Sequence, residues 1–416
     1  MPVEDDVEQP PADGSHGGWL SRNLLVLSGV SFLQDAASEL VYPLLPIFLT
    51  TVLGAPAAAV GAVEGLAEGA ASVTKLGTGV LGDRWRRRPL IAAGYGLAAV
   101  GKLIVALAFA WPVVLAGRVV DRLGKGMRGA PRDALLVEGV PRSARGRAFG
   151  VHRTADTLGA VVGPLMGLAG YAALGHRLKP VLLLAVVPAV LSVLLVAAVH
   201  EATPPARRDR SRPAWTAGVR TLPSGYWRAL LPLMVFAAVN FPDALVLLRL
   251  HDIGMSVTQV ILAYVTFNAV YAAGSFPAGV LADRWHPRCV YAVGLAFFVL
   301  GYGGLALVRD HAVAWLLVGL YGMFAALTDG VGKAWVSGLA GSGQQAAAQG
   351  VFQGAGGLAV LCAGVWAGLA WGADGQVPLL LAAVVATVVA VVLLAPFSPR
   401  SVRQGRAPGQ GSTAAG

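Results

Sequence analysis

Charge and cysteine are both scarce in this chain. Asp, Glu, Lys and Arg together make up 13% of its 416 residues, while 56% are hydrophobic. Soluble domains carry about 25% charged residues. The balance here excludes a soluble globular fold and places the chain among proteins that cross a membrane many times. The two cysteines, Cys289 and Cys362, lie far apart without ligand-like spacing, so neither a metal site nor a structural disulfide is indicated. There is no Walker loop, nucleophile elbow or metal-ligand cluster, so a soluble enzyme is excluded and no cofactor or metal is implied. The net charge of +10 comes from basic residues in short runs between apolar segments. That pattern belongs to loops beside a lipid bilayer, not to a nucleic-acid-binding face.

What is present is apolar sequence of spanning length. It occurs at about 24–49, 57–81, 90–110, 112–136, 147–171 and 179–199, then at about 229–248, 257–281, 289–308, 312–336, 346–371 and 376–396. These are twelve spans in two groups of six. The expected organisation is a disordered cytoplasmic leader (1–20), a six-helix bundle (21–199), an Arg- and Pro-containing linker (200–228), a second six-helix bundle (229–398) and a disordered tail (399–416). The leader is acidic and lacks the basic start of a signal peptide. With the N-terminus inside, the predicted cytoplasmic segments hold nineteen Lys and Arg residues, and the opposite loops hold only Arg177, Lys179, Arg249 and Arg309. Positive charge gathers on the cytoplasmic side, so a cell-membrane protein with both termini inside is expected.

The two groups repeat one another. Gly79 to Trp85 (GVLGDRW) recurs as Gly279 to Trp285 (GVLADRW), and Asp121 and Lys125 in the fourth span recur as Asp329 and Lys333 in the tenth. Asp35-Ala36 in the first span meets Asp243-Ala244 in the seventh. Parallel repeats of this kind place a solute path between the two halves.

The segment from Gly79 through Asp83 and Arg84 to Arg88 resembles the signature loop of the major facilitator superfamily, G-x-L-a-D-r-x-G-r-k, with Arg86 in place of the second glycine. Gly279, Asp283 and Arg284 carry the second copy, which departs further at His286 and Pro287. In the fifth span, Gly159, Gly163, Pro164 and Gly167 resemble the G-x-x-x-G-P-x-x-G-G motif of the antiporter branch, with Leu168 at the last glycine. Glycines there give a smooth face and the proline a bend, on which a helix can pivot. The resemblance covers about 20–398. It implies an all-α membrane protein whose twelve transmembrane helices form two pseudo-symmetric bundles rocking around a central site. A subgroup of uncharacterised bacterial permeases shares the denser pattern from Arg118 to Pro164.

Charge inside the first six spans is the main functional clue, because a lipid-embedded charge is costly unless it faces a cavity or a partner. Asp35, Glu39, Glu64, Glu68, Asp121, Asp133 and Asp156 face Lys75, Lys102, Arg118, Arg122, Lys125, Arg128, Arg132 and Arg153 in near balance. The charges can therefore pair among themselves without an anionic ligand. Arg128, Arg132, Asp133 and Arg153, toward the cytoplasmic end, resemble a gate, together with the two signature loops. Asp35 with Glu39, and Glu64 with Glu68, are spaced to share helical faces. Any of these four is a candidate proton carrier, with Arg118, Arg122 or Lys125 as the partner that switches. The second half replaces Glu64 by Tyr264, Glu68 by Asn268 and Arg153 by Gln353 at an offset of 200, while Asp243, Asp329 and Lys333 remain. With Tyr271, these residues are the expected lining of a polar-aromatic solute pocket.

The expected function is alternating-access transport of a small organic solute by a monomer, coupled to protons and exporting by antiport. A proton symporter or facilitator for a metabolite is the alternative within that class. A non-transporting receptor or a scramblase-like protein is the alternative outside it.

Overall fold

The structure is a computed structural model and describes residues 20–81, 86–136, 138, 140, 144–201, 219, 221–340 and 344–395. The rest of the leader and tail, most of the linker, and Asp83 and Arg84 lie outside the described residues, as does the side chain of Asp283. No strand occurs among the described residues. The first half consists of α1 (Arg22–Val41), α2 (Ala57–Leu81), α3 (Arg87–Ala106), α4 (Trp111–Leu136), α5 (Arg145–Ala173) and α6 (Leu178–Val196). The second half consists of α7 (Ser224–Ala237), α8 (Asp243–Asp252), α9 (Val257–Arg284), α10 (Pro287–Leu307), α11 (His311–Leu339), α12 (Gln345–Leu369) and α13 (Gln376–Leu394). Among the described residues, eight stretches are long and apolar enough to span a membrane on composition alone. Helices α2, α4 and α5 have the length, but they carry the charges of the first half. Helices α7 and α8 are the two short pieces of one span.

Side-chain caps fix several starts. Ser21 Oγ accepts from Leu24 N at 3.1 Å at the head of α1, and Asp310 Oδ1 accepts from Val313 N at 2.9 Å at the head of α11. Ser256 and Gln259 form a reciprocal capping box on α9. The seventh span breaks at 238–242 because Pro242 cannot extend α7, and α8 restarts at Asp243. The first span is interrupted as well, at a different point: α1 ends at Val41, and the chain resumes as Leu45–Ile47 and a π-helical turn, Phe48–Val52.

Within the halves, α1 packs on α5 and α6, α3 on α4, α9 on α11, and α10 on α11 and α13. The halves meet where α2 packs on α12, α5 on α9, and α8 on α2 and Leu45–Ile47. The α2–α12 contact brings backbone against backbone. A Cβ on Gly61 would lie 1.9 Å from Gly364 O, and one on Gly368 would lie 2.7 Å from Ala58 Cα. The α1–α5 contact is similar: a Cβ on Gly159 would meet Phe32 O at 2.7 Å, and one on Gly163 would meet Ala36 O at 2.5 Å. Gly167 follows against Leu40, one turn beyond the Pro164 bend. Only small residues allow helices this close.

Candidate functional site: a membrane-embedded charge network

Helix α4 carries the polar interior of the first half, and α2 brings Glu64 and Glu68 against it. Arg118 grips Glu64 with two bonds, Nε to Oε1 at 2.9 Å and Nη2 to Oε2 at 2.7 Å, and both side chains are buried. Lys102 on α3 donates to Asp121 Oδ1 at 2.9 Å, and Arg118 Nη1 lies 3.5 Å from Asp121 Oδ2. Arg122 stands 3.8 Å from both Glu64 and Glu68. Three cations and three carboxylates thus neutralise one another, which is what burial of charge requires. Toward the face that holds the α2–α3 and α6–α7 connections, Arg128 lies 4.5 Å over the Tyr95 ring. There Arg132 bonds Asp133 at 2.9 Å and Ser31 Oγ at 3.1 Å.

Asp35 and Glu39 on α1 are different. Among the described residues no Lys or Arg nitrogen comes within 4.0 Å of either. Lys125, Arg128, Arg132 and Asp156 face Asp35 from α4 and α5 at longer range, and Arg122 and Lys125 face Glu39. The close partner of Glu39 comes from the other half: Tyr264 Oη donates to Glu39 Oε2 at 2.6 Å. Asp156 lies 3.7 Å from His152 Nε2. Lys75 and Lys125 are both exposed.

In the second half, Asp243 opens α8 at the break in the seventh span and accepts from Tyr321 Oη at 2.5 Å. Tyr271 Oη donates to Asp329 Oδ2 at 3.0 Å, and Arg153 Nη2 donates across the halves to Tyr271 Oη at 3.5 Å. Tyr271, Gly279, Asp329 and Lys333 on α9 and α11 line a cavity of about 430 Å³, which Arg153 of α5 also borders. Asp243 and Tyr264 instead pack with Phe267 and Tyr321 around about 10 Å³. Rings run from Tyr42 through Tyr264 and Phe267 to Tyr321 at centroid spacings of 5.4, 6.0 and 5.1 Å. Two expected lining residues stand apart. Asn268 Nδ2 is turned to its own helix, at Tyr264 O, 3.1 Å away, and Gln353 is exposed on α12. Arg284 is exposed at the end of α9, and Gly79 lies near the end of α2.

The Major Facilitator Superfamily model matches residues 27–242 and 228–414, which together take in both helical halves. The chain belongs to the major facilitator superfamily. An uncharacterized MFS-type transporter of Methanocaldococcus jannaschii is 30% identical over 382 residues, spanning 90% of this chain and 95% of that one. The multidrug resistance protein MdtH of Photorhabdus laumondii is 31% identical over 148 residues, 36% of this chain and 35% of its own. The crystal structure of the nucleoside transporter NupG (as a mutant) superposes with a TM-score of 0.78 at 16% identity, covering 90% of this chain and 99% of that one.

In this facilitator-superfamily transporter, two charged residues that were only counted from the sequence, without a site role, have central places in the structure. Lys102 sits alone in an apolar span, and its cost there is offset only by a partner, Asp121. Arg249 was counted with the loops but is buried at the end of α8. It donates to Leu305 O, Ala306 O and Asp374 O, and it meets the Asp374 carboxylate at 2.7 Å. Its signal was the apolar run Ala244 to Leu250, which carries the span past it. The Arg249 hydrogen bond holds the carboxyl of Asp374, in the α12–α13 loop, below the usual carboxylate range.

Proposed function

We propose that this transporter exchanges a small organic solute for protons by alternating access, acting as a monomeric exporter in the cell membrane with both termini cytoplasmic. One observation supports the coupling: of the acidic candidates on α1 and α2, Glu64 and Glu68 are tied to arginines, whereas Asp35 and Glu39 have no cation in contact among the described residues. A carboxylate without an ion-pair partner can bind and release a proton without breaking one. Glu39 is also bonded to Tyr264, so movement between the halves changes its partner. Asp35 and Glu39 then carry the proton. Arg118, Asp121, Arg122 and Lys125 form the charge background, and Tyr264, Tyr271, Asp243, Asp329 and Lys333 meet the solute. Arg128, Arg132, Asp133 and Arg153 belong to the gate, and Gly159 to Gly167 to the pivot. The named functions of similar proteins, multidrug resistance and nucleoside transport, suggest drugs and nucleosides as first solutes to try.

The test is solute-driven proton movement in proteoliposomes that enclose a pH-sensitive dye. An accepted solute should collapse an imposed pH gradient, and Asp35→Asn or Glu39→Gln should abolish the collapse while solute counterflow persists. Proton flux that survives in both variants would move the coupling elsewhere, and counterflow with no proton flux in the parent protein would make it a facilitator.

A further inference from the structure

On the face away from the signature loops, the scarce positive charges divide into two kinds. Arg249 and Arg309 both contact the Asp374 carboxylate, at 2.7 and 3.5 Å. Arg177 and Lys179 have no carboxylate within 4.0 Å among the described residues. Both line one cavity of about 750 Å³ with His176 and His251, and no acidic side chain lines it. Asp252, the acid beside His251, is engaged elsewhere by Trp371 Nε1 at 3.0 Å.

The loop is built to present these groups. Gly175 and His176 both take left-handed backbone angles, φ of 67° and 61°, which turn the chain sharply before α6. The His176 ring then packs edge-on to Tyr171 at 5.0 Å. The remaining wall is mostly apolar, with Thr51 and Tyr171 the exceptions, and open at its rim: Leu107 is 64% exposed, and Val52 and Leu183 are each 47% exposed. In a membrane-spanning chain such side chains face acyl chains. Basic groups at the level of a helix end, above an apolar wall open to lipid, match an anionic headgroup with its tail alongside.

We propose that this cavity binds the phosphate headgroup of an anionic phospholipid, with Arg177 and Lys179 as its charged contacts. Wild-type protein in mixed micelles containing phosphatidylglycerol or phosphatidylcholine provides the test, with bound lipid counted by native mass spectrometry. Each cation near a headgroup is worth about fivefold in affinity. The full-length protein should therefore retain phosphatidylglycerol over phosphatidylcholine by at least about tenfold, and Arg177→Gln with Lys179→Gln should abolish that preference. Arg309→Gln, which removes a charge from the same face outside the cavity, should leave it intact. Equal retention of the two lipids by the wild-type protein, which needs no variant to fold, would overturn the proposal, and so would an unchanged preference in the double variant. Displacement of phosphatidylglycerol by inorganic phosphate at millimolar concentration would reassign the cavity to a soluble anion.

Discussion

Glu64→Gln is the sharpest test of the network around α4. Glu64 and Arg118 are each less than 5% exposed and share two hydrogen bonds. Removing the Glu64 charge leaves Lys102, Arg118 and Arg122 facing only Asp121 and Glu68, a net buried cation. Breaking one side of such a pair costs about 3–5 kcal/mol. Arg118→Met should cost a similar amount with the opposite sign of leftover charge. The double variant restores neutrality, since Lys102 keeps Asp121 and Arg122 keeps Glu68. It should therefore be more stable than the sum of the single losses predicts, by at least about 3 kcal/mol. The measurement is reversible unfolding in mixed dodecylmaltoside–SDS micelles, followed by tryptophan fluorescence. Losses that add to within about 0.5 kcal/mol would show that the two side chains act independently, and the ion-pair reasoning would fail.

Other expectations follow from particular contacts. Gly61→Val puts methyl groups where Gly364 O now sits, so α2 and α12 should no longer meet, and cysteines introduced along that seam should become more reactive to alkylating reagents in membranes. Arg249→Met strands the Leu305, Ala306 and Asp374 carbonyls and should cost about 3–5 kcal/mol by the same unfolding assay. Arg249→Lys should recover little, because an ammonium cannot span that fork. Arg249 lowers the Asp374 carboxyl in the folded protein. The stabilisation from Asp374 is thus complete above the unfolded carboxylate value of about 3.9 and is lost as the pH falls through the lower folded value. Asp374→Asn should show a flatter acid limb of stability than the parent, and an identical limb would remove Asp374 from the account.

Much of this was legible in the sequence. Span number, the internal repeat and the near balance of charge come from hydropathy, from repeated words such as GVLGDRW and GVLADRW, and from counting. Which charge takes which partner was not legible, because partners are set by how helices cross. Arg118 chose Glu64, 54 positions away, and Asp121 chose Lys102, the one charge in the interior of an otherwise apolar helix. The break before Asp243 had its signal in Asn240, Pro242 and Asp243, but the apolar residues on either side made the segment read as one span. The offset comparison of Glu64 with Tyr264 found a real difference between the halves. It could not show that the Tyr264 hydroxyl meets Glu39, since only the assembled halves bring α1 and α9 together.

The seam between α2 and α12 has one more consequence. At Gly61, Gly364 and Gly368, what touches is main chain, with almost no rotatable side-chain atoms between the helices. Joining a surface of long side chains freezes rotamers each time it forms, at up to about 2 kcal/mol apiece, whereas glycine and alanine freeze none. Under the proposed alternating access, the seam would part and close at these glycines without that recurring entropic cost. At these glycines the contact rests on close van der Waals fit, with the Leu361 and Ser72 side chains packed further along the same seam.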